Sequence, residues 1–143
     1  MIAFTFTGTE KLSEALRPLI SRLQDPSPAL EVVGVLGERA CRRNIDRQES
    51  PDGEPYKPTR RGGTILRDTG ILYNGITHAV EGRTVLIGAG AASSAYNAYQ
   101  QFGSEDYDGE SGNAPRPFIG INEDDADEII EEVADFLVGE SAA

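Results

Sequence analysis

A chain of 143 residues that is 38% hydrophobic is long enough for one domain with a core of its own. Its formal charge of -11 argues against a general nucleic-acid binder, whose footprint is basic, and its single cysteine excludes an internal disulfide or a CxxC metal site. No apolar run approaches the roughly 20 residues that span a bilayer, and MIAFTFTGTEKL lacks the features of a secretory leader, so a soluble intracellular product is expected.

The opening IAFTFT alternates apolar and polar residues, the pattern of a half-buried strand. Thr9 is placed to cap a helix over Glu10 to Leu23, with Leu12, Ala15, Leu16, Leu19, Ile20 and Leu23 on one face and Pro18 kinking or splitting it. After the turn DPSP, Ser27 is read as the cap and Pro28 as the first residue of a second helix running to Arg47. Its inward positions are Leu30, Val33, Leu36, Ala40 and Ile45. QESPDGEPYKPTRRGG, residues 48 to 63, is a long loop almost without apolar content, the kind that is either functional or flexible. TILRDTGILYNGIT is ambiguous between helix and strand. ITHAVEGRTVLIG reads as a hairpin turning at Glu81-Gly82, with Val85 and Ile87 on one face. A helix over Ser94 to Phe102 is stopped by Gly103, and after the loop SEDYDGESGNAP the segment RPFIGI is strand-like. The last helix runs from Asp124 to Val138, with Ala126, Ile129, Ile130, Val133 and Leu137 predicted as its buried stripe. The expected architecture is α+β: a small, mainly antiparallel sheet packed with N-terminal helices and an acidic C-terminal helix, all one domain.

Charge is unevenly placed. From Ser104 to the end thirteen acids face the single Arg116, while Arg39 to Arg67 holds eight basic residues against four acids. Such polarity suits solvated faces, and it equally suits a head-to-tail contact between copies, which closes into a ring or runs on as a filament.

Several motifs point to chemistry and fall short of it. Asp68-Thr69-Gly70 is the triplet of aspartic proteases and would need a homodimer to supply a second carboxylate. Gly88 follows Asp68 too closely for the strands of that fold, and Ile71-Leu72 replaces the small and acidic residues expected there. GAGAAS, residues 88 to 93, follows a strand loosely as a dinucleotide loop does, without the acidic residue at the end of a second strand. Asp106, Asp108 and Glu110 alternate as in a calcium loop, but Pro117 stands at the twelfth position instead of Glu. His78 is the only histidine, and Cys41 sits inside a helical pattern as a structural residue would. The YKPTRR loop could touch phosphates, although one short basic loop on an acidic chain is as readily a solvated one. No cofactor and no metal site is expected.

Four segments in order carry a family resemblance: PDGEPYKP (51–58), ILRDTGIL (65–72), VLIG with the helix ending QFG (85–103), and PRPFIG (115–120). Together they resemble the phage virion morphogenesis family, the Mu-like tail completion proteins of tailed phages and prophages. Tyr56 stands where Trp is commoner, and Ile119 where Leu is. The resemblance implies a structural, non-enzymatic protein of the virion neck, made in the host cytoplasm. It would complete the tail and help join tail to head, commonly as a sixfold ring. Implied partners are further copies of itself, tail tube or tail terminator proteins, head–tail connector proteins and DNA passing through the channel, with no membrane. Candidate assembly residues are Lys57, Arg60, Arg61, Arg116, Phe118, Asp124, Asp125, Asp127 and Glu128. Arg116 should pair with a carboxylate, inside the subunit or across an interface, and Phe118 should pack in the core or anchor an interface.

Overall fold

The computed structural model describes residues 9–90 and 94–139, and among them are five helices and one two-stranded antiparallel sheet, an α+β fold. The strand predicted for IAFTFT, and half of GAGAAS, lie outside the described residues. Helix α1 (Thr9–Gln24) runs through Pro18 as one element instead of splitting. Pro18 is exposed, so water can take the carbonyl that loses its partner. Helix α2 (Ser27–Arg47) begins one residue before the predicted start: Ser27 is already helical, and its N–H bonds back to Asp25 Oδ1 at 3.2 Å. The helix ends at Gln48, which turns left-handed at φ 60°.

The ambiguous segment becomes both elements. Gly70, at φ 74°, starts the short helix α3 (Ile71–Gly75), and β1 (Ile76–Glu81) follows directly. Strand β2 (Thr84–Ala89) pairs with β1 from Ile76↔Ala89 to Glu81↔Thr84, so the turn is Gly82-Arg83, one residue beyond the predicted position. The hairpin packs on α2, and α5 packs on α2 as well. Two glycines set the closeness of the α2–hairpin contact. A Cβ on Gly34 would lie 2.0 Å from the His78 ring, and one on Gly37 would lie 2.1 Å from Ile87 Cδ1. Each costs the helix about 1 kcal/mol against alanine, a loss that packing of the hairpin offsets.

Helix α4 (Ser94–Phe102) ends as predicted, with Gly103 at φ 79° and its N–H on the Tyr99 carbonyl. Helix α5 (Glu123–Val138) opens on a reciprocal cap in which Asn122 and Asp125 each accept from the other's backbone N–H. The core joins Cys41 and Ile45 of α2 to Tyr56 of the long loop, to Ile65 and Leu66 just after it, and to Leu72, Ile76 and Phe118.

The apolar stripe of α1 is largely exposed, and the predicted buried stripe of α5 is corrected at one position. On α1 Leu12, Leu16, Ile20 and Leu23 are 41–60% exposed, because α1 rests chiefly against α5 alone. On α5 Ile130 is 66% exposed and the residue that turns fully inward is Asp125, since Arg43 of α2 waits there. RPFIGI is also not a strand. Pro117 within it and Pro115 just before it each lack a donor, and side chains replace the ladder for the rest. Gln101 Oε1 accepts from the N–H groups of Phe118 and Ile119, both at 3.0 Å, while Gln101 Nε2 donates to the Ile119 carbonyl. Asn44 Nδ2 donates to the carbonyls of Phe118 and Gly120, each at 3.1 Å.

Candidate functional site

Arg116 is only 5% exposed, and no carboxylate among the described residues pairs with it. Its Nε donates to the Lys57 carbonyl at 2.9 Å, and Nη2 to the Pro58 carbonyl at 3.3 Å. Nη1 reaches Asn113 Oδ1 at 3.0 Å, the Ala114 carbonyl at 3.2 Å and Gln100 Oε1 at 3.5 Å. Every acceptor is a neutral oxygen. The guanidinium is solvated by dipoles, and no described residue supplies a counter-ion in a place where desolvation is expensive. Within the subunit the expected carboxylate is thus replaced by an internal strap that ties residues 57–58 to 113–116.

Arg116 lines the base of an open groove of about 790 Å³. One wall is the loop from Lys57 to Asp68, the other the loop from Tyr107 to Ala114, with Tyr96 and Gln100 of α4 between them. The walls meet where Lys57 Nζ bonds to the Tyr107 hydroxyl and sits 5.0 Å over its ring. Thr59 and Gly62 close a tight turn (Thr59 Oγ1 to the Gly62 carbonyl, 3.0 Å) that presents Arg60 and Arg61 to solvent. Leu66 holds φ 64°, a left-handed conformation that is uphill for a branched side chain, and it buries Leu66 while Arg67 and Asp68 stay on the rim. The first half of the 48–63 loop is stitched to the body. Ser50 and Glu54 bond to each other, Tyr56 N–H reaches the Gln48 carbonyl, and the Tyr56 hydroxyl donates to the Pro117 carbonyl at 2.9 Å.

The basic stretch of the sequence divides in two. Arg39, Arg42, Arg43, Arg47 and Arg67 are paired with acids of the same chain. Arg43 bridges to Asp125 at 2.8 Å and to Glu128 at 3.2 Å, and Arg39 reaches Glu128 at 3.1 Å, so α2 and α5 share a charged seam. Lys57, Arg60 and Arg61 remain on the groove. Of the candidate assembly residues, Arg116, Phe118 (1% exposed) and Asp125 (2%) are therefore interior, and Glu128 lies in the seam. Lys57, Arg60, Arg61, Asp124 and Asp127 are exposed.

The chemical motifs resolve into structure. Asp68 lies exposed before Gly70, and the Thr69 hydroxyl accepts from the Ile71 N–H at 3.4 Å. Asp108 caps its own turn, accepting from the N–H groups of Ser111 and Glu110, which hold its carboxyl down at about 2. Among the described residues no three His, Cys, Asp or Glu side chains form a metal cluster. Cys41 is buried with its thiol 3.8 Å from the Gly120 carbonyl, and burial pushes its pKa up. His78 bonds Glu38 at 2.6 Å and Glu31 at 3.0 Å, a bridge from β1 to α2. Sequence reasoning passed over Asn44, Gly34, Gly37 and the Asn122–Asp125 cap, and it held Gln101 only as part of the QFG motif, without a role. Only the glycines three apart in a helical pattern and the N-x-x-D at a helix start gave any local signal.

The four segments that carry the family resemblance meet in space. Pro51 lies so close to Gly120 that a Cβ there would stand 2.5 Å from it, Tyr56 bonds to Pro117, and Gln101 binds the backbone of Phe118 and Ile119. Gly103 packs on Asn113 and Pro115 with no room for a side chain. A model of the phage virion morphogenesis family matches residues 7–138. The chain belongs to that family. No curated protein and no solved structure matches it. As a member of the phage virion morphogenesis family, the protein has a structural part in building the virion. No helix among the described residues is long and apolar enough to cross a membrane.

Proposed function

We propose that this virion morphogenesis protein completes the tail of a phage or prophage at the neck and helps join tail to head, acting as a ring of identical copies. The observation that carries the ring is a pair of opposite charge features on one chain that have no ion-pair partner among the described residues. The groove holds Lys57, Arg60 and Arg61 above a buried Arg116 that has no carboxylate partner among the described residues. The outer face of α5 exposes Asp124, Asp127 and Glu131, beyond the seam that engages Asp125 and Glu128. A groove of one copy filled by α5 acids of the next is a heterologous contact, the kind that closes into rings. Tail tube or tail terminator proteins on one side and connector proteins on the other are the partners this reading requires, with DNA passing through the centre.

The test is the mass in solution by light scattering, across concentration and from about 50 mM to about 500 mM salt. A closed oligomer that salt weakens, and that Arg60→Glu with Arg61→Glu dissociates, is expected. An oligomer indifferent to both salt and the double variant overturns the charge contact. A monomer at every concentration, which also fails to bind isolated tails, overturns the ring.

A further inference from the structure

We propose that α1 of one copy packs along α4 of the next, aliphatic stripe on aromatic stripe, within the same contact that brings the acidic α5 to the basic groove. This deepens the ring reading and takes its head-to-tail direction from it. Leu12, Leu16, Ile20 and Leu23 are 60%, 41%, 50% and 53% exposed, and spacings of four, four and three put them on one face. A 16-residue helix is marginal in water by itself, and α1 leans on the body mainly through α5, with Arg22 Nη1 on the Leu137 carbonyl at 3.0 Å. An aliphatic face of that size on so lightly held a helix calls for a cover. On α4, Tyr96, Tyr99 and Phe102 are 50%, 56% and 78% exposed at three-residue spacing, while Gln100 is buried and Gln101 binds the backbone of Phe118 and Ile119.

Position and charge select a second copy as the occupant. Helix α1 lies beside α5, whose acids are one half of the proposed charge contact. Helix α4 lies beside the groove, since Tyr96 and Gln100 line it. Each edge of the molecule therefore carries one apolar stripe and one charged feature, and the two edges are complementary in both. Arg17 borders the α1 stripe beside Ile20, and α4 runs straight into the exposed acids Glu105, Asp106 and Glu110. An antiparallel pairing turns Arg17 toward those acids and toward the negative end of the α4 dipole, while Glu10, Lys11 and Glu14 stay on the far face of α1. The α1 stripe spans about 16 Å and the α4 stripe about 9 Å at 1.5 Å per residue, so the N-terminal turn of α1 overhangs onto the acidic loop.

The test uses the full chain and two variants. Leu16→Asp with Ile20→Asp disables the α1 stripe, and Tyr99→Asp with Phe102→Asp disables the α4 stripe. All four side chains are exposed, so both variants should keep the circular dichroism of the folded protein, with a thermal midpoint lowered only by the loss of the oligomer. Each alone should be monomeric by light scattering. Mixed one to one, they should double in mass and stop there, because one intact α1 and one intact α4 remain. A wild-type oligomer whose mass neither variant changes overturns this contact and leaves the charge-based ring standing. Variants that are monomeric alone and still monomeric when mixed also overturn it, since the stripes would then face some other cover. An oligomer lost in both variants, restored as a dimer on mixing and insensitive to Arg60→Glu with Arg61→Glu supports this contact while removing the charge contact. A wild-type monomer at all concentrations overturns both.

Discussion

Asn44 and Gln101 do for the segment 116–120 what a neighbouring strand would otherwise do. Between them they place donors and acceptors on the backbone groups of Phe118, Ile119 and Gly120, and Phe118 is thereby held at 1% exposure in the core. Removing one partner of a buried hydrogen bond leaves the other unsatisfied, at about 1–3 kcal/mol for each group. Gln101→Ala should therefore destabilise by about 2 kcal/mol. Asn44→Asp should cost more, about 3 kcal/mol or above, because it turns a carboxylate toward two carbonyl oxygens at a site 4% exposed. Urea unfolding of the three proteins decides this. An Asn44→Asp variant as stable as wild type would mean that the amide is not the support for this segment.

At the scale of elements, α2 is the hub, because one face takes the hairpin and another takes α5. The hairpin side has a titratable bridge. The carboxylates of Glu31 and Glu38 hold the His78 pKa above its ordinary 6.5, against the burial that lowers it. Burial pushes Glu38 up, but hydrogen bonds from His78 and Arg42 outweigh it and keep its carboxyl below the ordinary value. Arg42 adds rigidity by donating to the carbonyls of Tyr73 and Ile76. A histidine whose folded pKa lies above its unfolded value stabilises fully below the unfolded value of about 6.5 and loses that contribution as pH rises through the folded one. The thermal-midpoint gap between wild type and His78→Gln should accordingly be larger near about pH 6 than near about pH 9. An equal gap at both pH values would assign His78 a packing role against Gly34 and nothing more.

For the molecule as a whole, the distribution of charge matters more than its sum of -11. Five of the eight basic residues between Arg39 and Arg67 are spent on internal pairs, and the groove keeps the rest. That remainder is too small to hold duplex DNA against so acidic a background, so DNA is expected to pass the proposed ring without being gripped. Fluorescence anisotropy with a short duplex should give no saturable binding below about 10 μM at roughly 150 mM salt. Tight binding with a steep salt dependence would instead make the groove a nucleic-acid contact.

The sequence by itself determined the elements that are locally encoded. Periodicity and capping residues placed α2, α4, α5 and the hairpin to within a residue or so, because caps, glycines and apolar spacing act over one or two turns. The order of four short motifs likewise carried the family, which the match over residues 7–138 bears out. What only the tertiary structure decided was which predicted faces find partners. Nothing within α1 reveals that its stripe lacks a cover, and nothing within α5 reveals that Asp125, not Ile130, turns inward. RPFIGI has strand composition, yet its partners are two side chains rather than a strand, one 17 and the other 74 residues away. Arg116 sits in an acidic third of the chain and still meets only neutral oxygens. Burial and pairing are properties of surfaces brought together, and the residues that meet there are too far apart in sequence for any local pattern to record them.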